Sequence, residues 1–119
     1  MRSRASGETG GRAVGETPVT QEADRFVISV NGTKAALTMF ADHDGRRVFF
    51  HTETKAEFGG RGLATQLIRE VLDQTRERGL RVVPLCPMVA KFVSDHAEYG
   101  DMVEPPTGEL NEWVRRHLV

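Results

Sequence analysis

The alternation of apolar and polar residues changes character along this chain, and the first half has the pattern of β-strands. Three segments are rich in β-branched and aromatic residues and are separated by turn signals. Asn31-Gly32 is a strong hairpin signal, and Asp42–Gly45 is a second turn that ends in glycine. The order predicts an antiparallel meander with strands at Arg25–Val30, Lys34–Ala41 and Arg47–Thr54.

The second half begins with a helical period. Between Arg61 and Arg78 the apolar residues share one helix face, namely Leu63, Ala64, Leu67, Ile68, Val71 and Leu72. Gly79 ends this helix, and Leu80–Leu85 is the next strand. A strand, a crossover helix and a strand predict parallel pairing, and Pro84 predicts that pairing is lost near the end of the second strand.

Two shorter helices complete the predicted fold. The first begins at Pro87 or Met88, where proline is well tolerated, and ends near His96. Its Val89, Phe92 and Val93 are expected to face the sheet. The second follows Pro105-Pro106 and is marked by apolar residues at Leu110, Trp113, Val114 and Leu118. These patterns predict an α+β fold with a mixed sheet and helices on its faces.

Length, charge and composition limit the function. The chain of 119 residues fits one domain, and its net charge of −1 gives no field that would recruit nucleic acid. No segment is long and apolar enough to span a membrane, and the single cysteine, Cys86, suits a reducing cytoplasm. Residues 1–22 are dominated by glycine, serine and threonine, which predicts a disordered tail before a folded domain at 23–119.

The segment most suggestive of chemistry is Glu57–Ala64, called the glycine loop below. It lies between a predicted strand and the strongest predicted helix. Glycines let backbone N–H groups approach a ligand, and a helix start adds unpaired N–H groups and partial positive charge. The loop therefore suits a pyrophosphate, or it only turns the chain. The Walker pattern is absent, and no acidic residue follows the next strand as a dinucleotide fold requires.

Three motifs in order carry a family resemblance. Gly60-Arg61-Gly62-Leu63-Ala64 resembles motif A of the GNAT acyltransferases, with Glu57 standing where that motif has Gln or Arg. Pro84-Leu85-Cys86-Pro87 and His96-Ala97-Glu98-Tyr99 resemble the P-x-C-P and H-P-E-Y motifs of a compact GNAT-like branch, with Ala97 where proline is usual. The resemblance covers residues 24–104 and implies a minimal single-domain GNAT fold.

The resemblance implies how acetyl-CoA would bind. In GNAT folds the strand before the glycine loop and the strand after the following helix separate from each other. The pantetheine arm then pairs with the first of these strands. The diphosphate rests on the N–H groups of the loop, where Arg61 adds a charge-assisted contact. The residues implied are His51, Thr52, Glu53 and Thr54 on the strand and Gly59, Gly60, Arg61, Gly62, Leu63 and Ala64 in the loop.

Glu53 and Cys86 are the catalytic candidates. Glu53 ends the strand at the expected cleft and is the first choice of base, with His51 on the same strand face. Cys86 is a nucleophile, an acid for the departing thiolate, or a small buried hydrophobe. Tyr99 is expected to pack with His96, and His43 to be exposed. Trp113 is expected to dock the last helix, and no spacing predicts a metal site.

Two functions are consistent with these residues. The first is an acetyl-CoA-dependent N-acetyltransferase that acts by direct attack in a ternary complex, with a small-molecule or protein amine as acceptor. The second is a non-catalytic acyl-CoA-binding or sensor module, since the short chain has no obvious insert for an acceptor. We expect a monomer or weak homodimer that binds neither nucleic acid nor membrane.

Overall fold

A computed structural model describes residues 17–118 of the chain. These residues form five strands, three α-helices and two short 3₁₀ helices. The strands are β1 (Val19–Glu22), β2 (Arg25–Val30), β3 (Thr33–His43), β4 (Arg46–Thr54) and β5 (Arg81–Pro84). The helices are α1 (Leu63–Glu77), α2 (Pro87–Asp95) and α3 (Gly108–His117), with 3₁₀ helices at Ala56–Phe58 and Ala97–Met102.

The five strands form one mixed sheet in which they follow their order in the chain. β1 to β4 are antiparallel neighbours, and β5 pairs with β4 in parallel. The predicted meander and parallel pair are thus confirmed. The two hairpin turns after β2 and after β3 each have two residues with positive φ, Asn31 (50°) with Gly32 (84°) and Asp44 (54°) with Gly45 (77°). This geometry matches the right-handed twist of the strands it joins.

The core has two layers, one on each face of the sheet. Phe26, Ile28 and Phe49 point to the face covered by α1 and α2, whose Leu67, Val89 and other apolar residues complete the larger cluster. The opposite face is covered near β5 by α3, in a smaller cluster of Val48, Val83, Leu110 and Val114 with Leu85, Trp113 and Leu118 at its border. The last helix therefore closes a core face, as its amphipathic pattern predicts.

One charged side chain is buried in the main layer. Arg47 is 2% exposed, and its guanidinium lies 4.5 Å from the ring centroid of Phe40. Its Nε and Nη2 donate to the two carboxylate oxygens of Asp42 at 2.7 and 2.8 Å. Its Nη1 has no hydrogen-bond partner in the described part of the chain. The pair with Asp42 is therefore the main compensation for desolvating this charge.

The outer edge of β5 is held by the segment that follows α2. Val103 forms a parallel bridge with Val82, and the amide of Glu104 donates to the Val82 carbonyl at 2.8 Å. The Glu104 carboxylate accepts from Arg46 Nε at 2.7 Å and from Arg81 Nε at 2.9 Å. These bonds, chiefly the one from Arg46, hold the pKa of Glu104 below its usual value of 4.5.

Two sequence expectations need correction. The composition of residues 1–22 predicts a tail, whereas Val19–Glu22 form β1 and pair with β2; the rest of that prediction, at residues 1–16, lies outside the described residues. His43, expected to be exposed, is half-buried at the end of β3, and its ring stacks on Trp113 with centroids 4.2 Å apart. In the first case the neighbouring strand supplies the order, and in the second a residue of α3 that is distant in sequence does so.

Candidate functional site

β4 and β5 part at the point that Pro84 predicts. Their register runs from Arg46 opposite Arg81 to Phe49 opposite Pro84 and goes no further. The amides of Leu85 and Cys86 both donate to the Phe49 carbonyl, at 3.0 and 2.9 Å, as the chain turns away into α2. β4 continues to Thr54, so residues 50–54 form a strand edge with no pairing to β5. This separation is called the gap below.

A β-bulge lies where the gap begins. Met39 pairs with His51 and Phe40 pairs with Phe49, so Phe50 is an extra residue in β4. A bulge bends its strand and increases the local twist. The bend therefore helps to turn the second half of β4 away from β5.

The glycine loop follows β4 and leads into α1. Gly60 and Gly62 have φ of 79° and 73°, values that L-residues with side chains rarely adopt. Gly62 is the N-cap of α1, and no side chain of the described residues caps this end. The first intrahelical hydrogen bond of α1 is donated by the Gln66 amide to the Gly62 carbonyl. The amides of residues 63–65 precede this first donor and therefore have no acceptor within the helix.

The space above these glycines is open. Among residues 17–118, a Cβ built on Gly60 or Gly62 would meet no atom within 4 Å beyond its chain neighbours, so the backbone conformation at these positions, and not crowding, requires glycine. Free amides, the positive end of the helix dipole and open space together suit an anion such as a diphosphate. The sequence-predicted loop residues therefore lie together at one end of α1.

The charged side chains of the loop have mixed effects. Arg61 is exposed, and its guanidinium lies 5.2 Å from the centroid of the Phe58 ring. That contact keeps a cation beside the loop. Glu57 is also exposed and adds a negative charge nearby, so the backbone and Arg61 must supply the attraction for an anion.

His51 and Glu53 lie side by side on one face of β4, as their spacing predicts. His51 Nε2 and Glu53 Oε2 are 2.9 Å apart, and the two side chains are 49% and 61% exposed. Glu53 also lines a small cavity of about 60 Å³, together with Val27, Leu37, Lys34, Lys55, Ala35 and Ala36. This face of the sheet is the one that α3 covers only near β5.

Cys86 lies on the other side of the gap from β4. It is the N-cap residue of α2 and is 4% exposed. Its Sγ donates to Thr52 Oγ1 at 3.2 Å. Successive strand side chains point to opposite faces, so Thr52 and Glu53 do not share a face. The structure therefore brings Cys86 to the side chain of Thr52, a residue expected only to bind coenzyme A, and does not bring it to Glu53.

Tyr99 is part of the packing between α1 and the segment after α2. It is 3% exposed, and its hydroxyl donates to Asp73 Oδ1 at 2.8 Å. Burial first and then this carboxylate raise the pKa of Tyr99 above its usual value. Its ring packs against Phe92 at 5.6 Å, and the His96 ring stacks on the same phenyl at 4.0 Å. Tyr99 and His96 thus meet through Phe92.

Within residues 17–118, no group of three or more His, Cys, Asp and Glu side chains is arranged to hold a metal ion. No helix in that part of the chain has the length and hydropathy needed to cross a membrane.

The fold and the site define a class of protein. A mixed sheet whose parallel pair parts beside a glycine loop and helix start makes this a single α+β domain with a GNAT-like fold. A sequence profile of the family described as GCN5-related N-acetyl-transferase matches residues 25–102. The chain belongs to that family.

The comparison with solved structures gives the same fold. The domain is similar to the NMR structure of a GCN5-like protein from Staphylococcus aureus, which is described only provisionally as an N-acetyltransferase. The TM-score is 0.61 at 20% identity, over 77% of this chain and 92% of that one. A search of curated proteins found no match.

Proposed function

We propose that this chain is an acetyl-CoA-dependent N-acetyltransferase that passes an acetyl group to an amine by direct attack, with donor and acceptor bound together. The gap carries the proposal. β4 runs on to Thr54 after β5 has left it, and the glycine loop follows directly. A free strand edge beside free amides suits a ligand that has amide groups in one part and a diphosphate in another. Coenzyme A has both.

The residues present fit this co-substrate. The open space above Gly60 and Gly62 admits phosphate oxygens to the free amides, and Arg61 adds a cation. The edge of residues 51–54 offers backbone donors and acceptors to an extended arm. Amides of this edge would also stabilise the negative charge that develops on the acyl oxygen. Glu57 opposes binding, which makes the backbone contacts more important.

Glu53 is the proposed general base. An amine arrives protonated and must lose a proton before or during its attack. Glu53 lies on the open face of the sheet, and its hydrogen bond with His51 lets the pair share an accepted proton. Because both side chains are about half exposed or more, the proton can leave to solvent.

Cys86 is the proposed acid. Its S–H bond breaks as the S–H bond of the departing coenzyme A thiol forms, and the electron pair stays on the Cys86 sulfur. Cys86 then regains a proton from solvent. The proton released by the amine passes through Glu53 to solvent, so the protons balance. The competing route is an acyl-cysteine. In the part of the chain described, the only hydrogen-bond partner of the thiol is the Thr52 hydroxyl, which is not a base, so direct transfer is favoured.

The acceptor is proposed to approach from the face that carries Glu53. There the cavity of about 60 Å³ has an apolar floor of Val27 and Leu37 and charged groups at Lys34 and Lys55. A small-molecule amine and a protein amino group both fit a face this open. We further expect a cytoplasmic monomer or weak homodimer, with no nucleic-acid partner.

Acetyl-CoA turnover over a panel of amines tests the proposal. We expect acceptor-dependent release of coenzyme A thiol, and a fall in kcat of about 100-fold or more for Glu53→Gln. Cys86→Ala should lower kcat too, whereas Glu109→Gln, an exposed carboxylate on α3, should not.

Two outcomes would contradict parts of the proposal. Tight binding of acetyl-CoA without release for any acceptor would support the acyl-CoA-binding or sensor module instead. Turnover that survives both Glu53→Gln and Cys86→Ala would show that the catalytic assignments are wrong.

A further inference from the structure

The lysines of this chain, Lys34, Lys55 and Lys91, are not in equivalent surroundings. Lys34 Nζ lies 2.8 Å from Glu22 Oε2, and Lys91 Nζ lies 2.9 Å from Asp95 Oδ2. Lys55 is exposed, and no carboxylate of the described residues lies within ion-pairing distance of it. Of the three lysines, Lys55 is therefore the cation that has no counter-charge in this part of the chain.

Lys55 and Glu53 line the same small cavity on the open face of the sheet. The backbone of Lys55 stays extended after β4, with φ −64° and ψ 140°, and its amide donates to the Ala35 carbonyl at 2.9 Å. Two positions along an extended chain separate Cα atoms by about 7 Å. A carboxylate and an unpaired ammonium thus face one cavity from backbone positions that the sheet fixes.

The size and floor of the cavity limit what lies between these two charges. Its volume of about 60 Å³ is roughly the share of two water molecules in the liquid, and it has room for a link of about one or two carbon atoms. Val27 in its floor is 1% exposed, and Leu37 beside it is half-buried. An apolar floor suits methylene groups, so the charged ends of a ligand belong at the rim.

We propose that the acceptor is a small amino acid, whose amine lies at Glu53 and whose carboxylate is bound by Lys55. The charges then pair completely, because the arriving ammonium group neutralises Glu53, the carboxylate neutralises Lys55, and Lys34 keeps its pair with Glu22. A single carboxylate completes this balance, whereas a dianionic phosphate would exceed it.

The arrangement distinguishes a small amino acid from other amines. A simple alkylamine leaves Lys55 unpaired beside the ligand, and the side-chain amine of a protein lysine carries no carboxylate at this distance. Transfer forms the N–C bond of an N-acetyl amino acid and breaks the C–S bond of acetyl-CoA, with protons moving through Glu53 and Cys86 as above. This reaction rests on the proposed function, but binding of the amino acid does not.

The first test measures binding without turnover. Glycine and β-alanine are compared by NMR titration with ethylamine and propylamine, in which a methyl group replaces the carboxylate, both with and without saturating coenzyme A. We expect the amino acids to bind about five- to tenfold more tightly than the matched amines. Lys55→Gln should abolish this preference and Lys55→Arg should keep it. The control Lys91→Gln removes an ion-paired lysine of α2 and should change nothing.

Equal binding of the amino acids and the matched amines by the parent protein would overturn the inference. So would a preference that survives Lys55→Gln, because the cation assigned to the carboxylate would then have no part in it.

The second test measures transfer from acetyl-CoA to the same four acceptors. Lys55→Gln should raise KM for the amino acids about five- to tenfold with little change in kcat, because the carboxylate contact is the same before and during the reaction. KM for the two alkylamines should not change. Faster transfer to a lysine-containing peptide than to either amino acid would identify a protein acceptor and overturn the inference. Binding that depends on Lys55 without transfer to any acceptor would count only against the transferase function.

Discussion

Replacing Gly62 by alanine separates a binding role of the glycine loop from a merely structural one. Gly62 has φ 73° at the start of α1, and Gly79 has φ 71° just beyond its end. A Cβ at either position meets no atom of the described residues within 4 Å, apart from its chain neighbours. The two substitutions therefore impose nearly the same strain, about 1–2 kcal/mol for an L-residue in this region. Gly79→Ala is the matched control.

The structure gives different expectations for stability and for binding. Both variants should lose about 5–10 °C in Tm, because 1 kcal/mol corresponds to roughly 4–8 °C in a domain of this size. Only Gly62→Ala places a methyl group beside the free amides of residues 63–65. The loss of one hydrogen bond from a backbone amide to a phosphate, about 1.5–3 kcal/mol, weakens coenzyme A binding roughly 10- to 100-fold.

Thermal unfolding and isothermal titration with coenzyme A measure the two quantities on the same samples. The reasoning predicts similar losses of Tm and a loss of affinity confined to Gly62→Ala. If Gly62→Ala binds coenzyme A within about twofold of Gly79→Ala, the glycine loop is not the phosphate site.

Three further predictions concern the rest of the domain. Asp42→Ala should lower the free energy of unfolding by about 2–4 kcal/mol, because it leaves the buried Arg47 unpaired, and Arg47→Met in the same chain should recover part of the loss in urea titrations. The pKa of Glu104 is lowered in the folded state by Arg46, so the unfolded chain takes up its proton first as the pH falls. Stability should therefore decline as the pH falls below about 5, and Glu104→Gln should flatten that decline, while an unchanged slope would contradict the argument. Leu110→Ala should lower the free energy of unfolding in urea by about 2 kcal/mol or more, because this side chain of α3 is 5% exposed and packs against the sheet; a negligible change would mean that α3 does not close the core.

The elements that depend on local sequence were predictable. Asn31-Gly32 specified a hairpin because few other residues adopt its positive φ values, and the apolar period after Gly62 specified α1 because one helix face must be buried. Pro84 marked the end of the β4–β5 ladder because it has no N–H to donate. The place of the gap and of the glycine loop followed from these local rules together with the family resemblance.

Strand pairing outside the recognised turns, and the contacts of side chains across the sheet, were decided only by the tertiary structure. The polar residues of Val19–Glu22 resemble a tail, and their pairing with β2 makes them a strand. The alternation of strand faces puts Glu53 with His51 on the open face and Thr52 toward Cys86. The side-chain contacts of Thr52 have no signal in the local sequence, because its hydrogen-bond partners are 14 and 34 positions away. Local sequence determines where elements begin and end, but which side chains meet across a sheet depends on register and bulges, and these are fixed by packing of the whole chain.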